Sequence, residues 1–319
     1  MKFSVQGNWM VGVQDTDALR QARRNETRGR GAWAPCAAPK ARYHLYASYA
    51  CPFAHRTQLA YKLYGLSPVV TVSFLHPDWS GPDGWVFAPF DDAPNDDPIH
   101  GARALHEVYA KGIPDFTGKV TVPAVWDRTS GTLVSIESAQ IVRGFRDLAE
   151  NGVDLYPAAQ ADAIDELTQF IHSRVGSGVY AAGFAATQSE YDCAIESLFA
   201  ALDALESRLE EGPYLMGGDL TEADVFLLPT LARFDAVYQY ALKCSLRRLV
   251  DYPRLSAYAE RLMEDERVAS TVRLSHAKRH YFAELEDLVN PRIIPRTPPN
   301  PFQTATSGPN LSALRGKNP

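Results

Sequence analysis

Arg42-Tyr43-His44-Leu45-Tyr46-Ala47-Ser48-Tyr49-Ala50-Cys51-Pro52-Phe53-Ala54-His55 changes its backbone preference in mid-course. The segment from Arg42 to Ala47 alternates and is rich in aromatic side chains, as a strand requires, whereas Pro52 suits the first turn of a helix and His55 to Leu63 is helix-permissive. A strand that turns directly into a helix leaves Cys51 at the helix N-terminus. Unpaired backbone N–H groups and the positive end of the macrodipole there favour thiolate over thiol, which predicts a pKa below the unperturbed value of about 8.5. The position at which a dithiol motif would carry its second cysteine is Ala54. A disulfide formed at Cys51 therefore has to be resolved by a thiol from outside, which implies a small-molecule thiol cosubstrate. The competing interpretation of Cys51 is a small buried hydrophobe. Cys36 lies in an Ala/Pro-rich stretch, Cys193 in a helical pattern and Cys244 beside basic residues; none has a partner at metal-ligand spacing, so no metal is expected and all three read as structural or incidental.

A chain of 319 residues, 45% hydrophobic and 22% charged, is long enough for two domains with cores and is neither fibrous nor wholly disordered in composition. Its formal charge of −6, from 32 basic and 38 acidic residues, offers no general attraction to nucleic acid or to an anionic membrane. Met1-Lys2-Phe3-Ser4-Val5-Gln6-Gly7-Asn8 lacks the apolar centre of a leader, and no run of about 18 apolar residues occurs, so a soluble cytoplasmic protein is expected. Four cysteines in so long a chain make no disulfide framework, in keeping with a reducing compartment.

Residues 1–40 mix charge, Gly and Pro without a sustained period and read as an extension, with a basic cluster from Arg20 to Arg30. From Tyr43 the predicted order is strand, helix (52–64), strand (Val69 to Leu75), a long connection, strand (Pro123 to Trp126), a hairpin through Ser130-Gly131, strand (Thr132 to Val134) and helix (Glu137 to Ala149). A βαβ unit followed by ββα is the thioredoxin-like plan. The connection from His76 to Val120 holds a helix at Ala102, Leu105, Val108 and Tyr109, and its length points to a functional role. From about residue 158 the pattern is helical alone: Ile164, Leu167, Ile171 and Val175, then Ile195, Leu198, Phe199, Leu202, Leu205 and Leu209. Leu220-Thr221-Glu222-Ala223-Asp224-Val225 reads as a capping box with a hydrophobic staple, starting a core helix at Thr221. The tail beyond Asn290 is Pro-rich and reads as irregular.

Ala50-Cys51-Pro52-Phe53-Ala54-His55-Arg56-Thr57, Gly84-Trp85-Val86-Phe87, Thr121-Val122-Pro123-Ala124-Val125-Trp126-Asp127, Glu137-Ser138, Gly178-Val179-Tyr180-Ala181-Ala182-Gly183-Phe184-Ala185, Arg233-Phe234-Asp235-Ala236-Val237-Tyr238 and Lys278-Arg279-His280-Tyr281 occur in that order. Together they resemble the cytosolic glutathione transferase fold, and more narrowly its Xi class, the glutathionyl-hydroquinone reductases. The chain departs from the pattern at Phe53, where the family usually has Trp, at Ile136, where it has Asn, and at or near Lys119, where it has Arg.

The resemblance implies a thioredoxin-like thiol-binding domain over 41–150, an all-helical electrophile-binding domain over 158–289 and a tail from 290. It implies a cis peptide at Pro123 that exposes the Val122 backbone to the cysteinyl part of glutathione, as a strand pairs with a peptide. Glu137 and Ser138, at a helix start, would take the γ-glutamyl ammonium and carboxylate, although simple helix capping accounts equally for either alone. Trp85 and Lys119 complete the thiol site by resemblance, one by packing and the other by charge. Tyr180, Tyr238 and Tyr281 would wall the electrophile pocket over Cys51, three phenols able to stack on an aromatic diol and to stabilise a phenolate. His55 reads as a structural hydrogen-bonding residue. The implied activity is reduction of an aromatic glutathionyl-hydroquinone through a Cys51 mixed disulfide, with glutathione as cosubstrate, no bound cofactor and a homodimeric assembly. The same residues admit three alternatives: a different low-molecular-weight thiol, a glutathione-dependent lyase, dehalogenase or dehydroascorbate-type reductase, and a non-catalytic binding module with an idle Cys51.

Overall fold

The chain begins with a hairpin where its composition suggests an irregular arm. β1 (Lys2–Val5) and β2 (Asn8–Val11) pair antiparallel through Gln6-Gly7, both at positive φ. Gly7 is required there, because a Cβ would fall 1.8 Å from the Pro114 carbonyl oxygen. Phe3 is fully buried, and Ser4 exchanges two backbone hydrogen bonds of 2.9 Å with Gly118, which ties the hairpin to the main body. Two strands of four residues carry too little alternation to register as a period. The computed structural model describes residues 2–12, 33–35, 40–150, 153–284, 293–296 and 300–302; the Arg20 to Arg30 cluster, Cys36 and most of the Pro-rich tail lie outside the described residues.

Every residue of β3 (Tyr43–Ala47) is buried, as befits a strand covered on both faces. It pairs in parallel with β4 (Val70–Phe74), Tyr43 opposite Val70, and antiparallel with β5 (Ala124–Asp127), His44 opposite Trp126. β6 (Thr132–Ser135) completes the order β4-β3-β5-β6. The helices are α1 (Pro52–Leu63), α2 (Leu105–Gly112) within the long connection, and α3 (Ser138–Leu148). α1 and α3 pack on one another, and α2 packs on β6. This is the expected βαβ-ββα plan, with element ends within two residues of the sequence-based ones except for α2, predicted only as a run of apolar positions.

The remainder is helical: α4 (Ala161–Phe170), α5 (Gly178–Gly183), α6 (Gln188–Arg208), α7 (Glu222–Arg233), α8 (Pro253–Met263) and α9 (Leu274–Glu284), with shorter turns between them. α7 starts at Thr221 as expected. Asp224 Oδ2 accepts from the Thr221 N–H (2.7 Å) and hydroxyl (3.1 Å), while Oδ1 accepts from the Leu215 N–H (3.1 Å) and the Tyr258 hydroxyl (2.8 Å). Two π-helical turns, Ile171–Gly176 and Phe234–Tyr238, follow α4 and α7. The first leads into α5 and Tyr180, the second delivers Tyr238, and such bulges recur where a helix must re-aim side chains. The apolar core runs without a break from β3 to α9.

The long connection after β4 is the cradle of α9. Asp78 takes both arms of Arg279 (2.6 and 2.7 Å), Asp91 takes His276 Nε2 (2.6 Å), Asp92 takes Arg273 (2.6 Å) and the Pro77 carbonyl takes His280 Nδ1 (2.7 Å). α9, the last helix among the described residues, is thereby fixed to the connection after β4, and His276 also meets the Tyr49 ring in the turn after β3 (5.2 Å between centroids).

Candidate active site

Cys51 is the N-cap of α1, with φ −83° and ψ 123° and Pro52 in the first turn; its side chain makes no capping hydrogen bond. The half-buried sulfur lies 3.6 Å from the carbonyl oxygen of Val122. Val122–Pro123 is the cis peptide, and the Val122 N–H meets no hydrogen-bond partner among the described residues, which leaves it available to an extended ligand. Burial pushes the Cys51 thiol up, against the N–H groups of Ala54 and Phe53 and the charges of Arg233 and Arg56, which pull it down; the net direction is upward. The expectation of a depressed pKa is corrected here. The helix start does aim donors at the sulfur, but lost hydration outweighs them.

Three phenols from three elements meet nearby. Tyr180 on α5 and Tyr281 on α9 share a very short hydrogen bond, and the Tyr238 ring centroid lies 6.2 Å from that of Tyr180 and 5.5 Å from that of Tyr281. Burial raises all three phenol pKa values, so each stays protonated and able to donate. The buried Tyr238 hydroxyl has no partner among the described residues. Phe53, where the family usually has Trp, stacks over Tyr180 at 6.3 Å, placing the departure on the wall of this pocket. Trp85 stacks at 5.3 Å on His280, the neighbour of Tyr281, and so packs beneath the same helix.

Glu137 is the N-cap of α3, and Ser138 is its first residue. Both line a cavity of about 440 Å³ shared with Trp33, Arg56, Gln169 and His172. The Glu137 carboxylate takes no hydrogen bond from the described residues and its pKa is raised by burial, an acceptor in want of a cation. Lys119 is exposed, beside the Ser4–Gly118 pairing, with its ammonium 6.0 Å from the Phe3 ring centroid.

Residues 50–148 match the family model of the glutathione S-transferase N-terminal domain, and residues 158–261 that of the C-terminal domain. The glutathionyl-hydroquinone reductase PcpF of Sphingobium chlorophenolicum is 42% identical over 270 residues, covering 83% of this chain and 85% of its own. YqjG of Escherichia coli K12, which carries the same enzyme name, is 41% identical over 77% of this chain and 76% of its own. A solved Xi class structure from Natrialba magadii superposes with a TM-score of 0.85 at 35% identity, covering 95% of this chain and 96% of that one. The chain belongs to the Xi class of glutathione S-transferases. The glutathione-bound structure of YqjG is similar as well, with a TM-score of 0.79 at 39% identity over 83% of this chain and 88% of that one.

Within this Xi-class fold, the strand–helix turn singles out Cys51 and the resemblance singles out the tyrosines, while the arginines behind them are passed over. His55 Nδ1 accepts from Arg233 (3.0 Å), so its Nε2 carries the proton and donates to Thr271 Oγ1 (2.8 Å), which in turn donates to the Val268 carbonyl (2.7 Å). Burial and Arg233 hold the His55 pKa well below its usual value, in line with a structural, neutral imidazole. Arg233, Arg56 and His172 were not candidates from sequence, because a buried arginine and a solvated one look alike on a helical pattern. Cys193 is exposed, and Cys244 is buried with a thiol pKa pushed up to about 12. Among the described residues no cluster of ligand side chains could hold a metal ion, and no helix is long and apolar enough to cross a membrane.

Proposed function

We propose that the protein reduces glutathionyl-hydroquinones to hydroquinones with glutathione as cosubstrate. The observation that carries this is the placement of the Cys51 sulfur at an uncapped helix start, with three protonated phenols close by, one of them without a hydrogen-bond partner. The Cys51 thiolate attacks the glutathionyl sulfur, the carbon–sulfur bond breaks, and its electron pair passes to the aromatic ring, which takes a proton delivered through the phenols. Hydroquinone leaves, and a Cys51–glutathione disulfide remains. A second glutathione thiolate attacks that disulfide, forming oxidised glutathione and restoring Cys51.

In this proposal Val122 and Pro123 present the backbone to the cysteinyl unit, Glu137 binds the ammonium and Ser138 the carboxylate of the γ-glutamyl unit, and Trp85 packs on the thiol. Lys119 contributes charge at the mouth, and Tyr180, Tyr238 and Tyr281 hold the diol. The thiol site falls in 41–150 and the electrophile wall in 158–289, a division that the two family-model matches support. A cytoplasmic homodimer completes the proposal, with sedimentation velocity as the check on assembly.

The test is to incubate the protein with glutathionyl-menadiol in the absence of free thiol and to weigh it beside Cys51→Ala. A glutathione adduct on the unaltered chain alone, discharged by added glutathione with hydroquinone released, is the expected result. No adduct and no hydroquinone would overturn the proposal.

A further inference from the structure

Two buried arginines flank Cys51, and no carboxylate pairs with either among the described residues. Arg233, the last residue of α7, is 3% exposed and spends its donors on neutral acceptors: the Tyr49 carbonyl (2.7 Å), the Ala50 carbonyl (3.3 Å), the Pro229 carbonyl (2.8 Å) and His55 Nδ1 (3.0 Å). Two of these carbonyls belong to the residues that lead into Cys51. Arg56, on α1, is 2% exposed, reaches His172 Nδ1 at 3.3 Å and lies between the rings of Phe53 (4.9 Å) and Phe226 (4.2 Å). Its Nε is buried without a partner, and a Cβ on Gly176 would come within 2.9 Å of its Nη2, so the guanidinium is closely confined.

Burying a charge away from any counter-charge is costly, and arginine does not escape by giving up its proton under ordinary conditions. Burial does pull the Arg56 pKa down, to about 10, while the groups that pull it back up are Cys51 first, then Tyr180, Tyr238 and Glu222. Both histidines that face the arginines are held neutral: His55 by burial and Arg233, His172 by burial and Arg56. Around the pair of cations Cys51, Tyr180, Tyr238, Tyr281, His55 and His172 are uncharged in their protonated or neutral forms, while of the carboxylates lining the Arg56 cavity Glu222 and Asp165 are taken by Arg143 and Glu137 makes no ion pair with either arginine. Neither arginine is in direct contact with a carboxylate among the described residues, and a thiolate at Cys51 would be an anion that both already act on.

We infer that Arg56 and Arg233 act as positioning residues of the proposed reaction, Arg233 fixing the backbone that carries Cys51 and both arginines together serving as the standing counter-charge for the Cys51 thiolate. The proton lost from Cys51 goes to solvent, and no other charge changes. This inference rests on Cys51 being the nucleophile of the proposed function.

The experiment follows alkylation of Cys51 by iodoacetamide, a neutral probe, as a function of pH. The Cys51-containing peptide is quantified by mass spectrometry, so that exposed Cys193 does not interfere. The variants are Arg56→Met, Arg56→Gln, Arg56→Lys and Arg233→Lys. Loss of the Arg56 charge is expected to raise the midpoint by about one pH unit and to slow alkylation at neutral pH about tenfold, in both Arg56→Met and Arg56→Gln. Arg56→Lys is expected to retain most of the wild-type profile. Arg233→Lys, which keeps a charge but loses the fork on Tyr49 and Ala50, is expected to lower kcat more than it raises KM. An unchanged midpoint in a folded Arg56→Met or Arg56→Gln protein would overturn the inference. So would failure of both neutral variants to fold while Arg56→Lys folds, which would make the Arg56 charge a requirement of the fold rather than a counter-charge kept for Cys51. Alkylation needs no substrate, so a wild-type protein that releases no hydroquinone would refute the proposed function and leave the midpoint comparison standing.

Discussion

The starts of α1 and α7 are both helix N-termini with a small polar side chain at the N-cap, and they are finished in opposite ways. At α7 the Asp224 carboxylate reaches back to Thr221 and also gathers Leu215 and Tyr258, four donors on one buried group. At α1 the Cys51 side chain makes no capping hydrogen bond, and its sulfur, 3.6 Å from the Val122 carbonyl, faces the N–H groups of Phe53 and Ala54. A helix start closed by its own side chains lends its donors to stability. One left open keeps them for a ligand or a reacting atom, and the start of α3 at Glu137 is open in the same sense.

The contrast breaks down unless the two sites respond differently to substitution. Cys51→Ala is expected to reduce hydroquinone release by at least about a thousandfold while moving stability in urea by less than about 1 kcal/mol. Asp224→Ala should do the reverse. Removing the acceptor of four buried donors is expected to destabilise by about 3 kcal/mol, read from the same urea curve, with the activity of the folded fraction within about threefold of wild type. If Asp224→Ala lost activity without losing stability, the distinction between the two helix starts would fail.

The pH response should sharpen the contrast. Burial holds the His44 pKa at about 3 against an ordinary 6.5, so the unfolded chain binds the extra proton first. Its contribution to stability is complete above pH 6.5 and is lost as pH falls towards 3, amounting to about 2 kcal/mol by pH 5. His55, also held neutral, adds in the same direction. Activity follows a different group: with the Cys51 pKa raised, the thiolate fraction, and with it the rate of Cys51 alkylation, is expected to climb about tenfold per pH unit from 6 to 8 without levelling. A plateau below pH 7 would show a depressed thiol. The smallest expected effect is at α3, where Glu137→Gln should raise KM for glutathione about tenfold and leave kcat nearly unchanged, measured by steady-state kinetics.

Most of the scaffold was legible because its signals are local. The alternation from Tyr43 to Ala47, Pro52 at a helix start and the Thr221 to Asp224 box all act within a few residues, and the observed elements follow them closely. The β1–β2 hairpin was not legible, since its stability comes from Phe3 and Ser4 meeting residues more than a hundred positions away. The sign of the Cys51 shift was misjudged for a related reason. A helix start can be read from four residues, whereas desolvation depends on everything packed above the sulfur, which comes from distant helices. Arg56 and Arg233 were hidden in the same way, being distinguished from surface arginines only by what surrounds them.

The attachment of α9 to the loops after β4 also sets an order in time. Asp78, Asp91 and Asp92 leave the ribosome long before Arg273, His276 and Arg279, the side chains they hold. At 5–20 residues per second, the interval between residues 150 and 284 lasts roughly 7 to 27 seconds. For that time a nascent chain carries Cys51 and Tyr180 without Tyr281, the phenol that bonds Tyr180 in the finished molecule. Cys51 is thus made early, and the phenol cluster to which Tyr281 belongs is completed last.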